Sequence, residues 1–336
     1  MARIGFDGLM ISSSGKGHAR SELHAVEALA ARREHYIVVF VREPVETEGV
    51  ELVQVDPRLT IEWELRGMPA AAKRHRLDAF VTLSDRLPLA GRLPIVVWLF
   101  ESPVHRMRTN RTSRAPLWHR SSDVLTALVW KRSLRRAAHV AFGSHATERE
   151  VCADVRLRST SVVHPGVPPG FFADGEAKER YVLHLGSNDP RDNTAMAVEA
   201  CRRAGARLVV VGGWRGEGAE ARGRVSDAEL AELYRRAACF LDPTLYEGFG
   251  YGVLEAMTSG APVIASNTTS IPEVVGDAGI LCDPRDVDAL AAAVRSVLED
   301  GELAAGMTAR GLERAATFPW EETGAGLSAA IARALP

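Results

Sequence analysis

Cysteine is scarce in this chain and follows no pattern. Cys152, Cys201, Cys239 and Cys282 are the only four in 336 residues, and their wide spacing fits neither a zinc site nor a disulfide framework. Buried thiols in a reducing, cytoplasmic setting are the plain expectation. Long apolar runs are missing too. The most hydrophobic stretch, residues 93–100, is short even with Pro94 counted, whereas a membrane-spanning helix needs roughly 20 residues. Excess charge is also absent: Lys+Arg 41 against Asp+Glu 43 leaves −2, which argues against wholesale nucleic-acid binding. The opening MARIGFDGLM lacks the basic-then-apolar order of a signal peptide and reads as a strand. No internal repeat or low-complexity tract stands out. What is present is ordinary for a globular protein, 46% apolar and 25% charged residues, which excludes disordered and fibrous classes. The length is about twice the commonest domain size, so two domains are expected.

Short apolar runs alternate with helix-period stretches, the pattern of βα units on parallel sheets. In the first half strands are expected at 3–9, 36–41, 79–83, 95–100 and 139–144. A helix over 19–32 places Leu23, Val26, Leu29 and Ala30 on one face. In the second half strands are expected at 181–186, 207–212, 239–242, 262–266 and 279–283. Between the halves, SVVHPGVPPGFFADGEAKER carries three prolines and three glycines and reads as a linker. The expected organisation is an α/β protein of two doubly wound Rossmann-like domains facing a central cleft. Residues 1–165 form an N-terminal domain and 166–320 a C-terminal domain, with a helix over 321–336 packing back on the first. Asp286 is a plausible N-cap, and capping explains Asp286-Val287-Asp288 better than metal binding.

The stretch from Asp242 to Ser266 carries the chemistry. A strand ends at Asp242, a glycine-rich turn holds Glu247, and a helix opens near Gly252 with Glu255 on its first turn. The backbone N–H groups of Phe249, Gly250, Tyr251 and Gly252 fall where a helix start leaves amides unpaired, a setting that suits a phosphate oxygen. Glu247 is placed to accept hydrogen bonds from sugar hydroxyls, and Glu255 from a ribose diol. Glu247-Gly248-Phe249-Gly250, Glu255, Ala256-Met257, Gly260, Pro262-Val263, Ser270, Pro272-Glu273 and Asp277-Ala278-Gly279 together resemble the donor-site motif of glycosyltransferase family 4. The resemblance is strong over 181–320 and weak before it. It implies a GT-B fold and a retaining, metal-independent transfer of a sugar from a nucleotide-sugar donor to an acceptor hydroxyl, with no cofactor. Gly186 begins the implied phosphate loop, and Gly212, Gly213 and Val225 surround the implied base.

Two places depart from the family pattern. Gly186-Ser187-Asn188-Asp189-Pro190-Arg191-Asp192-Asn193 keeps Arg191 but puts Asp192 where the family has a lysine. Asp192 either repels a diphosphate, turns aside and leaves Arg191 to act alone, or caps the helix expected over 194–203. At the end of the strand 95–100 the family often carries a His-Asp pair, and here stand Phe100-Glu101. Glu101 is a candidate for the carboxylate part and His105 for the missing histidine. After the first strand, Ser12–Arg20 reads as a glycine-rich anion cradle in which Gly15 and Gly17 approach the donor and Lys16 and Arg20 supply charge. The segment 106–136 is basic, with Asp123 its only acid. It reads as a docking face for an anionic acceptor or a membrane surface, or as a solvated arginine-rich face. Rival functions are a sugar-nucleotide epimerase, a phosphorylase and a non-catalytic sugar-nucleotide-binding subunit.

Overall fold

Two all-parallel sheets organise the chain. The computed structural model describes residues 1–11, 18–84, 87–88, 93–102, 104, 130–175 and 177–336, the side chains of 18–21 and 61 excepted. By their contacts these residues form two compact units. One holds the chain up to Gly166 together with Pro319–Pro336, and the other holds Val167–Phe318.

The first unit is built on β1 (Ala2–Asp7), β2 (His35–Val41), β3 (Glu51–Gln54), β4 (Ala79–Thr82), β5 (Ile95–Leu99), β6 (His139–Phe142) and β7 (Thr160–Val162), in the order β3-β2-β1-β4-β5-β6-β7. Its central strands are apolar on both faces, as a sheet covered on both sides requires. In β2, Val38 and Phe40 join a core with Trp63, Met68, Phe80, Val97, Leu134 and Phe142. Ile37 and Val39 point the other way and are equally buried. That second face is covered by α1 (His18–Ala31) and by the last helix of the chain, Trp320–Ala334, which pack on each other. The helix pair is close: a β-carbon on Gly324 would lie 2.5 Å from the Ala28 carbonyl oxygen. The buried seam of α1 is Glu22, Ala25, Val26, Leu29 and Ala30, while Leu23 is only half-buried. Val26, Leu29 and Ala30 are thus on the buried face as expected, while at its N-terminal end Glu22 is buried instead of Leu23.

The second unit is built on β8 (Glu179–Leu185), β9 (Arg207–Val211), β10 (Glu220–Gly223), β11 (Ala237–Asp242), β12 (Val263–Ser266) and β13 (Ile280–Cys282), in the order β10-β9-β8-β11-β12-β13. In both units the strand order reverses at one place, between β1 and β4 and between β8 and β11. Ligands of open α/β sheets sit outside the carboxyl ends of the strands at such switch points.

Three strands went unforeseen, β3, β7 and β10, and each is a short edge strand. β7 and the start of β8 also lie inside the stretch that reads as a linker, so the irregular part of that stretch is shorter than its prolines suggest. The helical tail divides at Asp300, which caps the second of two helices, Val287–Glu299 and Gly301–Ala315. Asp286 caps the first by accepting from the Asp288 and Ala289 amides, as its position implied. Among the described residues no helix is long and apolar enough to cross a membrane. Cys201, Cys239 and Cys282 are buried and all four cysteines are free thiols.

Candidate donor site

The carboxyl edge of the second sheet gathers the residues that the sequence singled out there. After β8 the chain turns through Ser187–Asn193 into α2 (Thr194–Ala204), and after β11 it runs through a loop into α3 (Tyr251–Thr258). The two connections are tied together. The Leu245 N–H and the Thr244 hydroxyl both donate to the Arg191 carbonyl, at 2.8 and 3.0 Å. Asn193, in the left-handed conformation at φ 54°, donates its side-chain amide to the Pro243 and Pro284 carbonyls.

Glu247 is held by its backbone. Its N–H donates to the Thr269 hydroxyl at 3.2 Å, and its carbonyl accepts from the Ser270 hydroxyl at 2.8 Å. This explains why the motif's Ser270 recurs so far along the chain from Glu247: it fixes the loop that presents the carboxylate. Gly250 precedes α3 at φ 109°, and a β-carbon there would come within 2.8 Å of Ile271 Cδ1. The Leu254 N–H donates to the Gly250 carbonyl, so the amides of Tyr251, Gly252 and Val253 come before the first intrahelical bond. Glu255 lies on this helix with only 4% of its surface exposed, 3.4 Å from the Tyr234 hydroxyl on the helix Asp227–Arg236 that precedes β11. Glu255 is thus the fifth residue of α3 rather than part of its first turn, and its carboxylate is buried within the helix packing.

Other side chains serve packing. Phe249 is buried, its ring against those of Tyr251 and Phe318. A β-carbon on Gly252 would meet Leu185 and Phe240, and one on Gly186 would meet Thr194 and His184. Both glycines therefore allow close packing of helix and strand. A β-carbon on Gly212, at φ 129°, would clash with the Gly186 carbonyl oxygen, and Val225 is buried.

The charged turn departs from expectation. Asp192 does not cap α2: Asn193 holds the N-cap place, without a side-chain bond. Asp192 instead accepts from the Ser187 hydroxyl at 2.5 Å. Burial pushes its carboxyl toward the protonated form. Asp242, at the end of β11, is pushed up to about 7, by burial first and then by the charge of Asp192, against a bond from the Thr244 amide. The place where the resemblance implies a lysine thus holds a carboxyl that burial pushes up from its ordinary value. Arg191 meets Asp189 at 2.9 Å. Asp189, Ser187 and Tyr234 went unnoticed in the sequence; the first two could have been found as the acid and hydroxyl of one tight turn around Arg191.

Glu101 follows β5 in the first unit and is partly exposed, and neighbouring Phe100 packs on Trp98 with ring centroids 4.7 Å apart. Gly15, Gly17, Lys16 and His105 lie outside the described residues, as do the side chain of Arg20 and most of the basic segment. Of that segment, Lys131 pairs with Asp154 at 3.1 Å and Arg136 donates to the Pro88 carbonyl.

Paired parallel sheets with a glycine-capped helix at a switch point define the GT-B fold class. Sucrose-phosphate synthase from Thermosynechococcus elongatus superposes with a TM-score of 0.81 at 21% identity, covering 99% of each chain. Anabaena HepE in complex with UDP and glucose gives a TM-score of 0.71 at 15% identity, covering 99% of this chain and 100% of that one. Residues 179–300 match the family model described as glycosyl transferases group 1. The O-antigen chain mannosyltransferase B of Escherichia coli is 39% identical over 166 residues, which cover 43% of this chain and 44% of that protein. The match thus spans less than half the length of that relative.

Proposed function

We propose that the chain is a retaining glycosyltransferase of the family 4 type, which moves a sugar from a nucleotide-sugar donor to an acceptor hydroxyl. The observation that carries this reading is the second unit's edge, where the clamped loop of Glu247 leads through Gly250 into the helix that bears the buried Glu255. The named activity of the E. coli relative and the UDP and glucose of the HepE complex support it.

In this reading Glu255 accepts hydrogen bonds from the ribose diol and Glu247 from hydroxyls of the transferred sugar. As the bond from sugar to phosphate breaks, negative charge grows on the leaving diphosphate. The amides of Tyr251 and Gly252 stand at the positive end of α3 and stabilise that charge without reorganising. Arg191 adds its cation by swinging from Asp189 to the phosphates. The acceptor hydroxyl attacks from the face the diphosphate leaves, and a leaving phosphate oxygen takes its proton. Burial raises both Asp192 and Asp242, and a carboxyl that holds its proton there spares the donor the repulsion of a charge. Glu101 is a further candidate at the reacting face, and the basic segment for an anionic or membrane-borne acceptor.

Glu255→Ala should weaken nucleotide affinity at least tenfold, and Glu247→Ala should cut transfer by two orders of magnitude or more while nucleotide binding stays within threefold. Thermal shifts with UDP, GDP and dTDP, followed by turnover of the matching sugar donors, measure both. Full activity in both variants would overturn the assignment. A non-catalytic sugar-nucleotide-binding subunit is favoured by one observation, the carboxyl in place of a lysine at Asp192. It would bind nucleotide but release none from the donor in the absence of acceptor.

A further inference from the structure

The described end of the basic segment meets two further arginines that no motif marks. β6 and β7 pair in parallel, Val140 opposite Thr160, so their amino ends lie side by side. The turn at Arg135 and Arg136 leads into β6, and the loop 156–159 leads into β7. That loop is clamped to its neighbour. The Val140 N–H donates to the Ser159 carbonyl at 3.0 Å, and the two ring nitrogens of His139 each lie 2.8 Å from a hydroxyl, those of Ser159 and Ser161. Within the loop Leu157 packs on the core of the first unit, while Arg156 and Arg158 on either side of it stay exposed.

A recess of about 640 Å³ results, lined among the described residues by Arg135, Arg156, Leu157 and Arg158. Among the described residues none of its three guanidiniums has an ion pair or a side-chain hydrogen bond. Exposed arginines of the second unit behave differently: Arg202, Arg203, Arg207 and Arg236 each hold a glutamate. The acids on the helix His145–Asp154, which leads into the loop, are engaged elsewhere. Asp154 holds Lys131 at 3.1 Å, Glu148 accepts from the Thr160 hydroxyl at 3.0 Å, and Glu150 is likewise partnered. The last helix brings a further cation, Arg333, toward His139. Residues 105–129, outside the described residues, carry five arginines against Asp123, so their sequence adds positive charge and not its counterpart.

Three guanidiniums around one recess repel one another until an anion sits between them. Each presents a planar fork of donors that matches two oxygens of an anion. A phosphate or diphosphate has oxygens enough for several forks, whereas a carboxylate has two. The concave shape suits a small molecule, and Leu157, packed inward, offers no apolar anchor for a membrane.

We propose that Arg135, Arg156 and Arg158 form a binding site for a small phosphate-bearing anion, a phosphate ester or diphosphate, at the amino edge of the first sheet. It lies at the opposite end of the strands from Glu101, which follows β5. The site does not depend on the glycosyltransferase reading.

The test is calorimetric titration of the full chain with inorganic pyrophosphate. The nucleoside diphosphate that gives the largest thermal shift is present at saturation, so that the donor site is filled. Pyrophosphate should still bind. Arg156→Gln and Arg158→Gln should each weaken it at least tenfold, and the two together should abolish it, while the nucleotide shift stays unchanged. Arg33→Gln, which removes an exposed arginine before β2, should leave the affinity within twofold. All three positions are exposed, where substitution rarely disturbs folding. Equal binding by wild type and the double variant would overturn the proposal, as would an equal loss in Arg33→Gln, which would mark a response to net charge alone. So would wild-type protein that does not bind pyrophosphate; its sedimentation with phosphatidylglycerol vesicles would then mark the surface as a membrane contact. If no nucleotide shifts the melting temperature, the donor-site reading fails by itself, and titration without nucleotide carries the same comparison.

Discussion

At Gly250 two constraints meet in one residue: a φ of 109° and Ile271 Cδ1 at 2.8 Å from where a side chain would begin. Gly250→Ala should therefore lower stability by about 1–3 kcal/mol, read from urea denaturation, and weaken nucleotide binding with it. Asp242 makes a different prediction. Its carboxyl is raised from 3.8 to about 7, so the folded protein holds a proton that the unfolded chain releases. Its contribution to stability is full below pH 3.8 and is lost as pH rises through 7. The melting temperature of Asp242→Asn relative to wild type should climb across that window and level off above it. His139 and His184, pushed by burial from 6.5 to about 4, act in the opposite direction, losing stability as pH falls below 6.5. They are common to both proteins and cancel in the difference. A flat difference across the window would show that Asp242 is not perturbed. Glu247 and Glu255 were legible because a motif of many residues surrounds them. Asp242 and Glu22 were not, since their character comes from burial and from neighbours far away in sequence.

The elements were legible in proportion to their burial. Central strands such as β2 and β9 announce themselves as unbroken apolar runs, and capped helices by a hydroxyl or carboxylate at the right place. Ser226 is such a cap: its hydroxyl accepts from the Glu229 amide at 3.2 Å. Ser226→Ala should cost about 1 kcal/mol, measurable as a lowered denaturation midpoint. The edge strands β3 and β10 have one paired side, carry Glu51 and Glu220 and alternate weakly, so pattern alone does not separate them from loop. Asp192 misled for a related reason. An acid just before a helix suggests a cap, but the left-handed backbone of Asn193 turns it to Ser187 instead. Helix packing gives the sharpest test at this scale. Gly324→Ala would drive a methyl group into the Ala28 carbonyl, and neither helix backbone yields easily. A loss of about 1–3 kcal/mol is expected in the first unit, followed by circular dichroism during urea titration.

For the whole molecule, the resemblance correctly implied two Rossmann-like folds. The polypeptide leaves the first unit at Gly166 and re-enters it at Pro319. Within the second unit the Val167 N–H donates to the Phe318 carbonyl at 3.0 Å, so that unit begins and ends at one spot. Removing residues 319–336 should lower the unfolding transition of the first unit and leave that of the second, which a bound nucleotide would still raise. Scanning calorimetry with and without nucleotide separates the two transitions, and a loss of both would show that the units depend on each other. The same connectivity sets an order of completion during synthesis. The second unit has its whole sequence before the first has its last helix, so the face that Trp320–Ala334 covers is closed by residues that follow the second unit entirely.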